Sequence, residues 1–119
     1  MKYTFLIYSN PEQVPTRGSE KFGKFMTAFF AANERMKADG VLCEGDGLQG
    51  VDTATSLRIR SGKVETTDGP FAETREYLGG YYVIDVSDLD AALKYAELIP
   101  SAQFGTIEIR PVMDYKPTA

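Results

Sequence analysis

The residues best suited to chemistry in this chain are two carboxylates, Asp68 and Glu73, in the segment Asp68-Gly69-Pro70-Phe71-Ala72-Glu73-Thr74. Asp-Gly is a turn dipeptide, and Pro70 has no amide proton to give to a strand ladder. Phe71 follows as a large apolar group on a loop. Asp68 and Glu73 could flank a cleft and act as an acid–base pair if burial raised the pKa of one of them. The same residues also fit a structural role. Asp68 would then cap the loop backbone, Phe71 would plug it, and Glu73 or Glu76 would pair with Arg75.

Other chemistries are restricted by composition. The chain has no histidine and one cysteine, Cys43. Ser-His-Asp and Cys-His catalysis are therefore excluded, and so is an intramolecular disulfide. The commonest transition-metal ligand is missing and one thiol builds no structural zinc site, so the expectation is no metal and no cofactor. Acid–base work falls to Asp, Glu, Tyr, Lys or Cys43. Cys43 stands beside Glu44, which disfavours its thiolate, and reads as a structural free thiol. Gly45-Asp46-Gly47 matches neither a phosphate loop nor a dinucleotide fingerprint in its context.

The elements that must position these groups follow from periodicity. Tyr3–Tyr8 reads as a strand. Phe22, Phe25, Met26, Phe29, Phe30, Asn33 and Met36 recur at helical spacing from about Ser19, and Gly40 supplies the stop. This aromatic face is expected in the core. Val41–Leu48 reads as an edge strand. Thr55–Arg60 and Lys63–Thr67 form a hairpin about Ser61-Gly62, which Asp68-Gly69-Pro70 ends. Gly79-Gly80 leads into an apolar strand, Tyr81–Val86. Ser87 is the expected N-cap of a second helix, with Asp88 and Asp90 in its first turn and Leu89, Ala92, Leu93 and Ala96 as its apolar stripe. Pro100 ends that helix, and Thr106–Arg110 is the last strand. The tail from Met113 to Ala119 is expected to fray or to pack on a partner. This order gives an α+β fold, a ferredoxin-like antiparallel sheet with two helices on one face.

Two helices cover one sheet face only, yet side chains on both faces are apolar. Tyr81 and Val83 oppose Tyr82 and Ile84, and Leu6 and Tyr8 oppose Tyr3, Phe5 and Ile7. A second copy of the sheet is the simplest cover, so a homodimer is expected. The same face is expected to carry Arg58, Arg60, Glu108 and Arg110 beside its tyrosines. Guanidinium forks there suit an anionic or carboxylate-bearing ligand, whereas solvated strand edges or dimer salt bridges are the plainer reading.

A chain of 119 residues, 43% hydrophobic and 25% charged, fits one globular domain over residues 1–119. The net charge of −4, with 17 acidic and 13 basic side chains and no basic run, argues against nucleic acid and against an anionic membrane surface. The short apolar N-terminus reads as a strand and no run is long enough to span a bilayer, so the expected compartment is the cytoplasm.

From Thr67 through Asp68-Gly69-Pro70-Phe71-Ala72-Glu73-Thr74 to Glu76, the chain resembles the DGPF-domain branch of the YCII-related proteins. Met1-Lys2-Tyr3, Gly45-Asp46-Gly47-Leu48, Leu78-Gly79-Gly80-Tyr81-Tyr82-Val83-Ile84-Asp85 and Ile109-Arg110-Pro111-Val112-Met113-Asp114 extend the resemblance over essentially the whole sequence. It implies a ferredoxin-like fold that pairs through its sheets into a dimeric α/β barrel. The wider superfamily includes monooxygenases, muconolactone isomerases and chlorite-dismutase-like haem proteins. A His-Asp pair proposed for the YCII-related group has no counterpart here, because there is no histidine and the region after the second helix reads Leu98-Ile99-Pro100-Ser101. The resemblance also implies a link to extracytoplasmic-function sigma factors.

Three functions remain in competition. The favoured one is a small-molecule-binding or regulatory homodimer, with a pocket near the Asp68–Phe71 loop lined by Tyr8, Arg58, Phe71 and Tyr81. The second is an enzyme of the dimeric-barrel kind, in which Asp68 and Glu73 move protons on a small organic substrate. The third is a docking partner of a sigma factor.

Overall fold

The computed structural model describes residues 1–115. Its elements run β1 (Lys2–Ser9), α1 (Glu20–Ala38), β2 (Leu42–Gly47), β3 (Thr55–Arg60), β4 (Lys63–Asp68), β5 (Tyr77–Asp85), α2 (Leu89–Ala96) and β6 (Gly105–Pro111). Short 3-10 turns at Val51–Thr53 and Pro100–Gln103 link them. Four strands form one sheet in the order β2-β5-β1-β6, and every neighbouring pair is antiparallel. Each helix connects two strands with a gap between them that the other unit's strand fills. This is the ferredoxin-like split β-α-β arrangement.

Local sequence chemistry explains the boundaries. Ser19 accepts a hydrogen bond from the Phe22 amide at 3.1 Å and starts α1. At the other end Gly40 takes a left-handed φ of 72°. Its amide donates to the Lys37 carbonyl and that of Val41 to the Met36 carbonyl, the paired bonds of a Schellman stop. In the second helix the cap is Asp88, not the expected Ser87. Asp88 is extended and accepts from the Ala91 amide at 2.9 Å. The amide that is capped, Ala91, lies three residues after Asp88, so the helix begins one residue later than a Ser87 cap would set it. The expected stripe on α2 is also narrower: Ala92 and Ala96 are buried, whereas Leu89 and Leu93 are exposed.

The core lies between one sheet face and both helices. Tyr3, Phe5 and Ile7 of β1 and Tyr82 and Ile84 of β5 meet Met36 of α1 and Ala92 and Ala96 of α2, with Ile99 beneath. Alternation explains this set, since these strand residues share one face. Thr4, Leu6, Tyr8, Leu78, Tyr81 and Val83 point to the other face and are half-buried.

The hairpin β3-β4 is a sheet of its own. Ser61 and Gly62 both take positive φ, 51° and 74°, as a type I′ turn demands. The base of the arm is closed where the Gly69 amide donates to the Ala54 carbonyl at 2.7 Å and the Ser56 hydroxyl to the Gly69 carbonyl at 2.9 Å. One face of the arm carries Leu57, Ile59 and Val64, all more than half exposed. The radius of gyration, 16.7 Å, exceeds the ~13.5 Å usual for a compact domain of this length.

A polar tie joins the two helices. The Tyr95 hydroxyl donates to Asp39 Oδ2 at 2.7 Å and Arg35 Nε donates to the same oxygen at 2.9 Å. Tyr95 first, then Arg35, hold the Asp39 carboxyl below its ordinary value. A folded-state pKa below the unfolded one stabilises above the unfolded value, near ~3.9, and the benefit is lost as pH falls through the folded value. Asp39→Asn should therefore unfold at a lower temperature than the parent at neutral pH. That gap should close as the pH drops below about 4. Parallel melting curves across this range would contradict the tie.

Candidate functional site

The N-terminal half of α1 stands off the sheet. Its buried residues, Ala32 and Met36, are both in the C-terminal half. Phe25, Met26, Phe29, Phe30 and Asn33 instead roof a cleft of about 530 Å³. The expectation that this aromatic face is core holds for Met36 and for Phe29, which packs against the core, and is corrected for the rest; the cause lies in the strands below. β2 and β5 present Gly45, Gly47, Gly79 and Gly80 under the helix. With no side chains there to fill the space, the rings find contacts only at its margins, on Tyr82 and Phe104.

The glycines sit against each other in the sheet. Gly47 pairs with Gly80 and Gly45 with Tyr82. A bulge between Ile7 and Tyr8 leaves Gly79 without a β1 partner. The Tyr82 ring lies over Gly45 so closely that a Cβ there would be 2.4 Å from Tyr82 Cδ1. Phe29 leans on Tyr82 with ring centroids 6.3 Å apart, and Phe25 meets Phe29 and Phe104 edge-on, at 5.8 Å each.

Polar groups enter this apolar space at a few points. Tyr82 is 7% exposed and Ser101 is 2% exposed. Both border the cleft. Neither side-chain hydroxyl has a hydrogen-bond partner among the described residues, yet no side-chain oxygen or nitrogen fully sealed from solvent lacks one. The small exposed remnant of each residue therefore includes its hydroxyl. The Tyr82 phenol is a neutral donor at pH 7, and burial pushes its pKa further above the ordinary value. Asn33 adds an amide from the helix. Asp46 and Tyr81 adjoin the cleft, but their positions alternate with Gly45 and Tyr82, which turns their side chains to the other sheet face. There the Tyr81 hydroxyl makes a long contact of 3.4 Å to Asp46. The charge of Glu44 foremost, then desolvation and Asp46, raise the Tyr81 phenol.

The residues singled out from sequence are dispersed. Asp68 ends β4 and Glu73 lies in the β4–β5 connection; both are exposed, and neither side chain has an ion pair or hydrogen bond among the described residues. Phe71 is 80% exposed. Arg58 is on the arm, opposite Glu65 in register. The expectation that Arg58 and Arg60 share a face with the sheet tyrosines is corrected, because the arm leaves the sheet. Arg110 does lie on that face and pairs with Glu108 at 3.2 Å. Tyr8 is on the same face, away from the helices. Of the six residues expected at a site, Tyr81 alone adjoins the cleft, and the cleft is not lined by the Asp68–Thr74 segment.

Comparison with known proteins fits this fold. The YCII-related domain matches residues 1–116. The chain belongs to the YCII-related family. It is 34% identical over 119 residues to an uncharacterized protein of Rhizobium meliloti, covering 98% of this chain and 96% of the relative. Among solved structures, this YCII-related protein is similar to 5-chloro-2-hydroxyhydroquinone dehydrochlorinase from Burkholderia phenoliruptrix, in complex with 2,5-dihydroxybenzoquinone. The TM-score is 0.58 at 13% identity, over 98% of this chain and 97% of that one. At that identity the likeness shows the fold alone.

Proposed function

We propose that this protein binds a small ring-sized molecule in the cleft beneath α1 and works as a homodimer. One observation carries the first half: an aromatic helix face held over four glycines, with the hydroxyls of the otherwise buried Tyr82 and Ser101 reachable from solvent and without a protein partner. An apolar pocket with a few polar groups converging on it is the common form of a ligand site. The similar dehydrochlorinase, whose structure contains a hydroxylated quinone, adds support, since the same fold there accompanies a ligand of this size.

Hydroquinone is a suitable probe. Phe29→Ala should weaken its binding about tenfold or more, by removing a ring from the wall. Asp68→Asn and Glu73→Gln should leave it unchanged, because neither residue lines the cleft. The reverse pattern would place the site at the loop.

The dimer rests on the arm and on the open sheet face. Leu57, Ile59, Val64 and Phe71 are between 59% and 80% exposed. Together with the half-buried Leu6, Tyr8, Tyr81 and Val83 they form more apolar surface than a small monomer usually leaves in water. The parent should sediment at twice 13.2 kDa at micromolar concentration. Ile59→Asp should shift it toward the monomer without unfolding the chain. A parent that is already monomeric contradicts the assignment.

A further inference from the structure

The lining of the cleft also selects by charge. No Lys or Arg is among its residues, and those whose side chains face it are aromatic, aliphatic, amide or hydroxyl. The cations expected to serve a ligand, Arg58 and Arg110, are placed elsewhere, one on the arm and the other in a pair with Glu108. The one charged residue that adjoins it, Asp46 on β2, is acidic and turns its side chain to the other sheet face.

An anion entering this cleft would lose water and find no cation in exchange. A carboxylate is costly to bury without a partner, whereas a neutral hydroxyl or amide needs only a hydrogen bond. Tyr82, Ser101 and Asn33 provide such partners at the floor and roof. The aromatic walls favour a flat ring that stacks or meets them edge-on. We infer that the cleft takes uncharged aromatic molecules bearing hydroxyl or amide groups and rejects their carboxylate counterparts. This rests on the cleft being the binding site, and it reverses the expectation of an anionic ligand held by arginines.

The test compares two ligands of nearly the same shape, 4-hydroxybenzamide and 4-hydroxybenzoate, by calorimetric titration of the full chain at pH 7. The amide should bind at least about tenfold tighter than the acid. The ratio should persist at high salt, where the long-range repulsion of a net-negative protein is screened but desolvation is not. Tyr82→Phe should weaken amide binding several-fold with little change in melting temperature. Equal or tighter binding of the benzoate overturns the selection and leaves the site standing. A preference that vanishes in salt also overturns it, because the discrimination would then come from net charge. No saturable binding of either ligand overturns the site as well.

Discussion

Gly105→Ala should destabilise the protein by roughly 3 kcal/mol, the upper range for forcing extra atoms into a filled space. A Cβ on Gly105 would stand 2.0 Å from the Tyr8 carbonyl oxygen, 2.8 Å from Ser9 Cα and 2.9 Å from the Tyr8 carbonyl carbon. All three are backbone atoms of β1, so no side-chain rotation relieves the clash and the start of β6 must move away. Phe104 would move with it, loosening its edge contact with Phe25 and the bond from the Asn10 amide to the Phe104 carbonyl. Urea unfolding should show a lower midpoint with an unchanged slope. Gly23→Ala is the opposing control. Gly23 lies inside α1 with nothing within 4 Å of its would-be Cβ. Glycine in a helix interior costs about 0.5–1 kcal/mol relative to alanine, so this change should stabilise. If both substitutions shift stability alike, the packing described for β6 is wrong.

Gly45→Val should abolish binding in the cleft. Its Cβ would be 2.4 Å from Tyr82 Cδ1 and 2.9 Å from the Tyr81 carbonyl oxygen. The Tyr82 ring must swing upward, into the space between sheet and helix and against Phe29. The side chain that would hold the ligand then occupies its place, and affinity for hydroquinone should fall by more than about tenfold. The stability cost should be about 1–3 kcal/mol, because the ring can yield but the Tyr81 carbonyl oxygen must also shift slightly. Gly23→Ala, on α1 and outside the lining of the cleft, meets nothing within 4 Å and should bind normally. Wild-type affinity in Gly45→Val would remove the floor of the cleft from the account.

Features fixed by neighbours in sequence were legible. Ser61-Gly62 is a turn because a two-residue hairpin needs two positive φ angles. Gly40 ends α1 for the same steric reason. The alternation of Tyr3, Phe5 and Ile7 against Leu6 and Tyr8 separated the two apolar faces of β1 without saying which one the helices cover, and the element order gave the ferredoxin-like topology. What escaped was set by which surfaces meet across the chain. The β3-β4 hairpin alternates like a sheet strand, and nothing local says that it pairs only with itself. Its departure carried Arg58 and Arg60 away from the tyrosines they were expected to join.

The cleft was hidden for a related reason. Phe25, Phe29 and Phe30 at helical spacing are the usual mark of a buried face, and only the opposing strand reveals that there is little to bury them against. A signal was present in the glycines. Gly45-Asp46-Gly47 and Gly79-Gly80 weaken both strands in which they lie, and two adjacent strands thinned at the same level imply a hollow. The Asp68–Thr74 segment showed the opposite case. It carries the family resemblance, but Asp68 and Glu73 are solvated at the base of the arm.

The most direct test of the central claim is an amide NMR titration with hydroquinone. Glycine amides occupy their own region of the nitrogen dimension, so Gly45, Gly47, Gly79 and Gly80 can be followed together. Saturable shifts at these four, with Phe29, Asn33 and Tyr82, are the predicted result. Shifts confined to the Asp68–Thr74 loop, or none that saturate, would contradict a ligand site beneath α1.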